Sequence, residues 1–234
     1  MTYEDTDNQL SGDGFVIVKR VLDACHIDEL IEAIDAATPT KYGVRNLFEQ
    51  VPLTRSLVTK PVIVQLVEGV LGPEAFAVRA ILFDKIKGGN WHVGWHQDQA
   101  IAIKQRLDAT GFGPTSVKEG VPHTRASESV LQHMLAVRIH LDDCGPNNGP
   151  LRCSPGSHLS GRLNPDQAHA EKERCGEQAC LVPRGGALLM RPLCLHASSP
   201  AKSPNHRRVI HIEFAVDELP EPLEWHERYP IFAV

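Results

Sequence analysis

Near the start of the chain, apolar residues recur at the spacing of an amphipathic helix. The positions i, i+3, i+4 and i+7 of this pattern are Ile27, Leu30, Ile31 and Ile34. We expect this helix to end at Thr38-Pro39, because a residue that precedes proline disfavours helical backbone angles. Ahead of the helix, the apolar run from Gly14 to Val18 predicts a short buried strand.

The pattern predicts a second helix further along the chain. It should begin with Pro61 in its first turn, where no amide hydrogen is needed, and end at Gly72 as a left-handed cap. Its buried face should consist of Ile63, Leu66, Val67 and Val70. We therefore assign residues 1–75 to a helical scaffold.

From residue 76 onward the apolar period becomes the alternation of β-strands. One predicted face carries Phe76, Val78, Ala80 and Leu82. Alternation returns at Leu135, Val137, Ile139 and Leu141. Further strands are predicted at Gly186 to Met190 and Val209 to Val216. Strands that follow a helical part indicate a mainly β protein, in which residues 76–234 form a cupin-like jelly roll with flanking N-terminal helices.

Length and composition fit one domain spanning residues 1–234, large enough to bury a core without disulfides. The six cysteines form no Cys-x-x-Cys pair, and the polar, acidic stretch from Met1 to Leu10 does not resemble a secretory segment, so we expect a cytoplasmic protein with reduced thiols. The net charge of −5 is dispersed, which argues against nucleic acid as a partner. No apolar run approaches the ~18 residues that a membrane span needs. A monomer or homodimer is expected.

Candidate chemistry centres on the stretch from Trp91 to Asp98, which contains His96-x-Asp98. Residues two apart on an extended backbone project from the same face, so an imidazole and a carboxylate can reach one ion together. His196 lies between two strand-like runs and can supply a third ligand. Two histidines and one carboxylate form the facial triad of non-haem iron(II). His140-Leu141-Asp142 is a rival pair that spacing alone does not exclude.

An ordered set of motifs resembles the phytanoyl-CoA dioxygenase family, whose members are iron(II)- and 2-oxoglutarate-dependent oxygenases built on a double-stranded β-helix. The motifs, in chain order, are His96-x-Asp98, Asn148-Gly149-Pro150-Leu151, Pro155-Gly156-Ser157-His158, His196-x-Ser198 and Arg207. The opening at Asp13 to Val18 belongs to the same likeness, which therefore spans nearly the whole chain.

The resemblance implies roles for several residues. His96, Asp98 and His196 would bind iron(II), Arg207 would hold the distal C5 carboxylate of 2-oxoglutarate, and Ser198 would assist it. The implied reaction consumes O2, converts 2-oxoglutarate to succinate and CO2, and oxidises a small-molecule substrate. Because Asp98 fills the position where related halogenases carry a small residue, hydroxylation is favoured over halogenation.

One departure from the resemblance is Arg138, where many relatives carry an aromatic residue. We expect Arg138, with Lys85 or Arg106, to bind an anionic group of either the co-substrate or the substrate, unless its side chain points to the outer face of the sheet. The pattern around His211 and Glu213 is typical of a hydrogen-bonded polar face of a strand.

The stretch 99–133 shows weak periodicity, and long loops of this kind are often functional. We predict that it forms a lid loop over the site, the alternative being a plain surface insertion.

Two further functional classes stay open, a non-catalytic jelly-roll binding protein and a zinc-loaded cupin-like protein. The presence of Arg207 beside the triad disfavours both, because a bare metal site needs no distant carboxylate anchor.

Overall fold

The computed structural model describes residues 3–38, 42–202 and 205–232. The α-helices, labelled α1 to α6 in chain order, are Tyr3–Asp13, Ala24–Ala37, Leu47–Gln50, Pro61–Leu71, Glu128–Gln132 and Pro165–Cys175. Two 3₁₀ helices span Pro52–Leu57 and Ser157–Ser160. None of the helices in these described ranges is both long and apolar enough to cross a membrane.

Strands outnumber helices in the described chain, as predicted. Labelled β1 to β14 in chain order, they are Phe15–Val18, Gly43–Val44, Phe76–Asp84, Val93–His96, Ala100–Ala102, Ser116–Lys118, Val121–Arg125, Met134–His140, Leu151–Cys153, Gln178–Cys180, Ala187–Met190, His196–Ser198, Arg208–Ala215 and Tyr229–Pro230.

The strands form two facing antiparallel sheets and one small additional sheet. The major sheet has the order β1-β11-β8-β13-β3-β14, with β2 also paired to β3. The minor sheet has the order β10-β9-β12-β4, and β5-β7-β6 form the third sheet. The predicted mainly β jelly roll with N-terminal helices is confirmed.

The N-terminal helices α1 to α4 pack on the outer face of the major sheet. Helix α2 starts where the Asp23 side chain accepts a hydrogen bond from the His26 amide, and it buries Ile27, Leu30 and Ile34. It ends with the Thr38 amide donating to the Ile34 carbonyl, while the predicted terminator Pro39 lies outside the described residues.

Helix α4 begins at Pro61 as predicted, and its cap residue Gly72 has a positive φ of 86° but an extended ψ of 174°. Helix α1 was not predicted, because its sequence is mostly polar and only Leu10, which is fully buried, joins the main core. The apolar contacts of these helices therefore cover one side of the major sheet and leave its other side free to face the minor sheet.

The prediction that Phe76, Val78, Ala80 and Leu82 share one face is wrong, because β3 is interrupted by a bulge. Arg79 pairs with Glu213 and Ala77 with Phe214, so Val78 is an extra residue in the ladder. An extra residue reverses the alternation. Ala80 and Leu82 consequently face the helices, whereas Phe76 and Val78 pack with Trp225 in a separate cluster.

The segment 99–133 is not a long loop. It contains the three-stranded sheet β5-β7-β6 and helix α5, and it is anchored by Ile101 and Ile103, which pack against Trp225. Weak periodicity concealed these strands because each has only three to five residues. The role of this segment as a lid stays a prediction.

Phe214 on β13 tests how much the helix–sheet core contributes to stability. Phe214→Ala should lower the free energy of unfolding by about 3–5 kcal/mol, because the fully buried ring leaves a cavity. Phe232→Ala is the matched control, since that ring is 45% exposed and its loss should cost within about 0.5 kcal/mol. Urea denaturation measures both values, and equal losses would contradict the assigned core.

Candidate metal centre

Three candidate ligand side chains meet in the lining of a cavity between the two large sheets. The His96 Nε2 lies 3.6 Å from an Asp98 carboxylate oxygen, and the His196 Nε2 lies 3.5 Å from the other oxygen. One ligand atom from each residue falls within 4.8 Å of the other two. Among the described residues, this is the only such group of three histidine, cysteine or acidic side chains.

Backbone carbonyls orient both histidines toward the shared point. The Nδ1 of His96 lies 2.9 Å from the Gly94 carbonyl oxygen, and the Nδ1 of His196 lies 2.9 Å from the Cys194 carbonyl oxygen. Because a carbonyl oxygen only accepts, each Nδ1 must carry the proton. Each Nε2 is then left with its lone pair free for a metal ion, as is usual for metal-binding histidines.

Strand pairing brings the two distant parts of the triad together. His96 at the end of β4 stands directly opposite His196 at the start of β12. Gln97 projects away from the site, and its side chain bonds the Leu193 carbonyl at 2.8 Å and the Leu163 amide at 2.9 Å. The Asp98 amide donates to the Pro192 carbonyl at 2.9 Å. Sequence reasoning missed Gln97, although the middle position of His-x-Asp must face away from the site on an extended chain.

The electrostatics of the triad suit a divalent cation. Burial alone would raise the pKa of Asp98, but attraction to the protonated forms of His196 and His96 outweighs it and holds the pKa well below its usual value. Burial lowers the pKa of His196 to about 4. At neutral pH the site therefore offers an anionic carboxylate and an uncharged imidazole.

The rival pair His140-x-Asp142 does not join this site. The Asp142 carboxylate forms a bidentate ion pair with Arg208, at 3.0 Å to Nε and 2.9 Å to the terminal nitrogen. His140 is buried, and burial followed by the charges of Arg138 and Arg207 holds its pKa well below the usual value. Asp142 is thus committed to a structural pair, and His140 forms no ion pair with a carboxylate of residues 3–38, 42–202 or 205–232.

A cationic end of the same cavity contains Lys85, Ser198 and Arg207. The fully buried Lys85 ammonium donates to the Ser198 hydroxyl at 2.6 Å and to the Ser199 carbonyl at 2.6 Å. The Arg207 guanidinium donates to the Gly149 carbonyl, which also accepts from the Ser198 hydroxyl at 3.3 Å.

Gly149, in the Asn-Gly-Pro-Leu motif, supports this cationic end through its backbone. Its φ is +61°, and a Cβ added there would lie 2.7 Å from the Ser199 carbonyl oxygen. A residue with a side chain would have to move either its own carbonyl or the Ser199 carbonyl. Glycine at this position therefore lets one carbonyl reach both Ser198 and Arg207.

Arg138 also lines the cavity, and its side chain does not point to the outer face of the sheet. One terminal nitrogen lies 2.8 Å from the His211 Nδ1, and the guanidinium carbon stands 5.3 Å from the centre of the Phe83 ring. Arg106 lies elsewhere, where its Nε donates to Thr115 at 3.3 Å on the surface. Arg106 therefore takes no part in the cavity.

Sequence reasoning underestimated His211 and Glu213 and missed Arg79, all of which line the cavity. The Arg79 Nε donates to Glu213 at 2.9 Å, and the other Glu213 oxygen lies 3.1 Å from the His211 Nε2. A signal was available for Arg79, because it is the single basic residue inside the apolar run of β3. Hydrogen bonds thus connect Arg79, Glu213, His211 and Arg138 across the cavity floor.

The model of the phytanoyl-CoA dioxygenase family (PhyH) matches residues 10–209, which is most of the chain. The chain belongs to this family. The predicted family is confirmed, and with it the basis for expecting iron(II) and 2-oxoglutarate as cofactors. No protein of curated function matches the chain in sequence.

Solved structures share the fold of this PhyH family member at low identity. EctD from S. alaskensis, with 2-oxoglutarate and 5-hydroxyectoine, is 16% identical over 99% of this chain and 89% of that one, with a TM-score of 0.70. The non-heme α-ketoglutarate-dependent carbocyclase SnoK from nogalamycin biosynthesis is 16% identical over 92% and 86%, with a TM-score of 0.69. AviO1 from Streptomyces viridochromogenes is 20% identical over 94% and 97%, with a TM-score of 0.67.

Asp98→Asn tests the metal centre. The amide lacks the negative charge that the triad supplies, so affinity for Fe(II) or Co(II) should fall more than about 100-fold, beyond the ~10–100-fold cost of removing a supporting residue. Anaerobic titration calorimetry measures the dissociation constant. His92→Asn, at an exposed position outside the triad, serves as the control and should leave the affinity unchanged. Equal affinities for both variants would contradict the assignment.

Proposed function

We propose that this protein is a non-haem iron(II)- and 2-oxoglutarate-dependent dioxygenase that hydroxylates a small molecule. The supporting observation is that the triad of His96, Asp98 and His196 shares one cavity with the cationic end at Lys85 and Arg207. Two histidines and one carboxylate suit iron(II) and leave coordination positions open for other ligands. A bare metal site would have no use for buried cations beside it.

The cationic end is suited to the distal carboxylate of 2-oxoglutarate. Lys85 and Arg207 are each at most 3% exposed, and neither forms an ion pair with a carboxylate of the described chain. Burying a charge without a partner is costly, so an incoming carboxylate gains strong, charge-assisted hydrogen bonds here. Ser198, between Lys85 and the Gly149 carbonyl, positions the ammonium and can contribute its hydroxyl.

Bound iron(II) would supply activation of O2 coupled to decarboxylation of 2-oxoglutarate to succinate and CO2. The chain itself contributes position and charge. The triad would hold the metal on one wall, and the cationic end would fix the far end of the co-substrate. The side chains of Ile81, Phe83 and Trp91 form the apolar wall along which a substrate would lie.

Hydroxylation is the outcome we propose among those seen on this fold, which include the carbocyclase named above. Asp98 occupies the third ligand position, so no place is left on the protein side for a halide in its stead.

The direct test of the proposed function is anaerobic addition of Fe(II) and 2-oxoglutarate, which should produce a weak visible charge-transfer band, followed by succinate in air. Tight zinc binding without turnover would instead favour the cupin-like binding protein.

Arg207→Met should weaken 2-oxoglutarate binding about 10–100-fold, because hydrogen bonds to charged groups contribute roughly 1.5–3 kcal/mol. The charge-transfer band provides the dissociation constant. The neighbouring Arg208→Met is the matched control, since Arg208 pairs with Asp142 outside the cavity. The control should lower stability and leave 2-oxoglutarate affinity within about twofold. An equal loss of affinity in both variants would argue against Arg207 as the anchor.

The pH dependence of binding offers a second test. Burial, followed by the charge of Arg207, lowers the pKa of Lys85 to about 8. Its ammonium therefore loses its proton at lower pH than an ordinary lysine, and 2-oxoglutarate affinity should fall as pH rises above about 8, by at most about tenfold per pH unit. Lys85→Met should bind more weakly and lose this dependence. A flat profile in the wild-type protein would contradict a role for Lys85.

A further inference from the structure

With iron(II) and 2-oxoglutarate bound, the cavity would still hold a surplus of positive charge. Arg79 is paired with Glu213, whereas Lys85, Arg138 and Arg207 form no ion pair with any carboxylate in the described chain. Iron(II) and the Asp98 carboxylate together carry one positive charge. With the three free cations, this total exceeds the two negative charges of 2-oxoglutarate by two. This surplus holds even with every histidine of the cavity uncharged. The loaded site would therefore attract a further anion.

Arg138 has hydrogen-bond donors free to bind that anion. It is only 7% exposed, and its Nε is buried without any hydrogen-bond partner. One terminal nitrogen contacts the His211 Nδ1, which leaves the remaining donors of the guanidinium free. A buried donor without a partner is costly, so its persistence inside a cavity points to a ligand that completes it.

Arg138 is also separate from the cationic end assigned to 2-oxoglutarate. Arg138 pairs with His211 on the neighbouring strand β13. His211 is four residues beyond Arg207, so the backbone positions of His211 and Arg207 lie about 13 Å apart at ~3.3 Å per residue. Its polar contacts continue through His211 and Glu213 to Arg79, away from Lys85. Arg138 nevertheless lines the same cavity as His96, Asp98 and His196.

On the basis of the proposed function, we propose that the organic substrate is a small carboxylic acid whose carboxylate is bound by Arg138. A planar guanidinium matches a carboxylate through two parallel hydrogen bonds. The rest of the molecule would extend toward a second, adjoining cavity of about 440 Å³ that is lined by Tyr42 and Arg45 and shares Phe83 and Trp91 with the first cavity. An acid with an apolar or aromatic body fits these surroundings. With its carboxylate at Arg138, oxidation would occur near that group.

The test compares small aliphatic and aromatic carboxylic acids with their primary amides, which keep the shape and lose the charge. Each pair is titrated anaerobically into the wild-type protein loaded with Fe(II) and 2-oxoglutarate, and the shift of the charge-transfer band reports binding. At least one acid should bind at least about tenfold more tightly than its amide, the size expected of one charged hydrogen-bonded pair. If no acid binds more tightly than its amide, the proposal is overturned.

Arg138→Gln and Arg138→Lys identify the residue responsible. The glutamine variant should reduce the acid-to-amide preference to within about threefold, and the lysine variant should retain part of it, since a lysine keeps the charge but not the fork. Arg174→Gln, at an exposed ion pair on α6, is the control and should keep the full preference. A separate anaerobic titration of 2-oxoglutarate into each Fe(II)-loaded variant, read from the same charge-transfer band, gives its 2-oxoglutarate affinity.

Two outcomes separate this proposal from others. If Arg138→Gln weakens 2-oxoglutarate at least as much as it weakens the acid, Arg138 is a co-substrate anchor and the proposal fails while the proposed function stands. If wild-type protein binds no 2-oxoglutarate at all, the proposed function fails, and acid-against-amide binding is then read from the thermal shift of the metal-loaded protein. The wild-type comparison needs no variant, so poor folding of Arg138→Gln would not remove the test.

Discussion

The antiparallel pairing of β4 with β12 is the contact on which the candidate site depends. It sets His96 opposite His196, although the two residues are far apart in the sequence. The same pairing fixes where Asp98 leaves the strand, and Gln97 anchors the opposite side of that turn. A shift of one residue would turn the ligand side chains to the wrong face of the sheet. The geometry of the site therefore depends on the register of these two strands, and the helical layer supports the major sheet behind it.

Basic side chains outnumber acidic ones in the lining of the cavity. Two carboxylates, Asp98 and Glu213, face four basic side chains, and each carboxylate is already engaged by neighbouring groups. Desolvated cations of this kind are rarely retained for stability alone, because replacing them with apolar groups is often neutral or favourable. Their concentration next to a candidate metal site is what one expects of a pocket that must hold more than one anion at once.

The sequence was informative where a pattern is local and limited where it depends on pairing. The helix periods of α2 and α4 and the alternation of β8 predicted those elements well. The bulge at Val78 was invisible, because nothing in an alternating run reveals that two residues will face one partner. Arg79 stood out as the single basic residue of β3, but the face that it occupies depends on that bulge. The family could be recognised from ordered motifs, whereas Arg138 needed coordinates to show which side of the sheet it occupies.

The bulge in β3 divides one strand into two stretches that both pair with β13. Before it, Phe76 and Ala77 pair with β13 and also with the C-terminal strand β14, and after it the residues from Arg79 to Asp84 pair with β13. Removal of Val78 would restore a regular ladder only if one of these stretches exchanged its two faces. A single extra residue thus decides which side chains of β3 belong to the pocket.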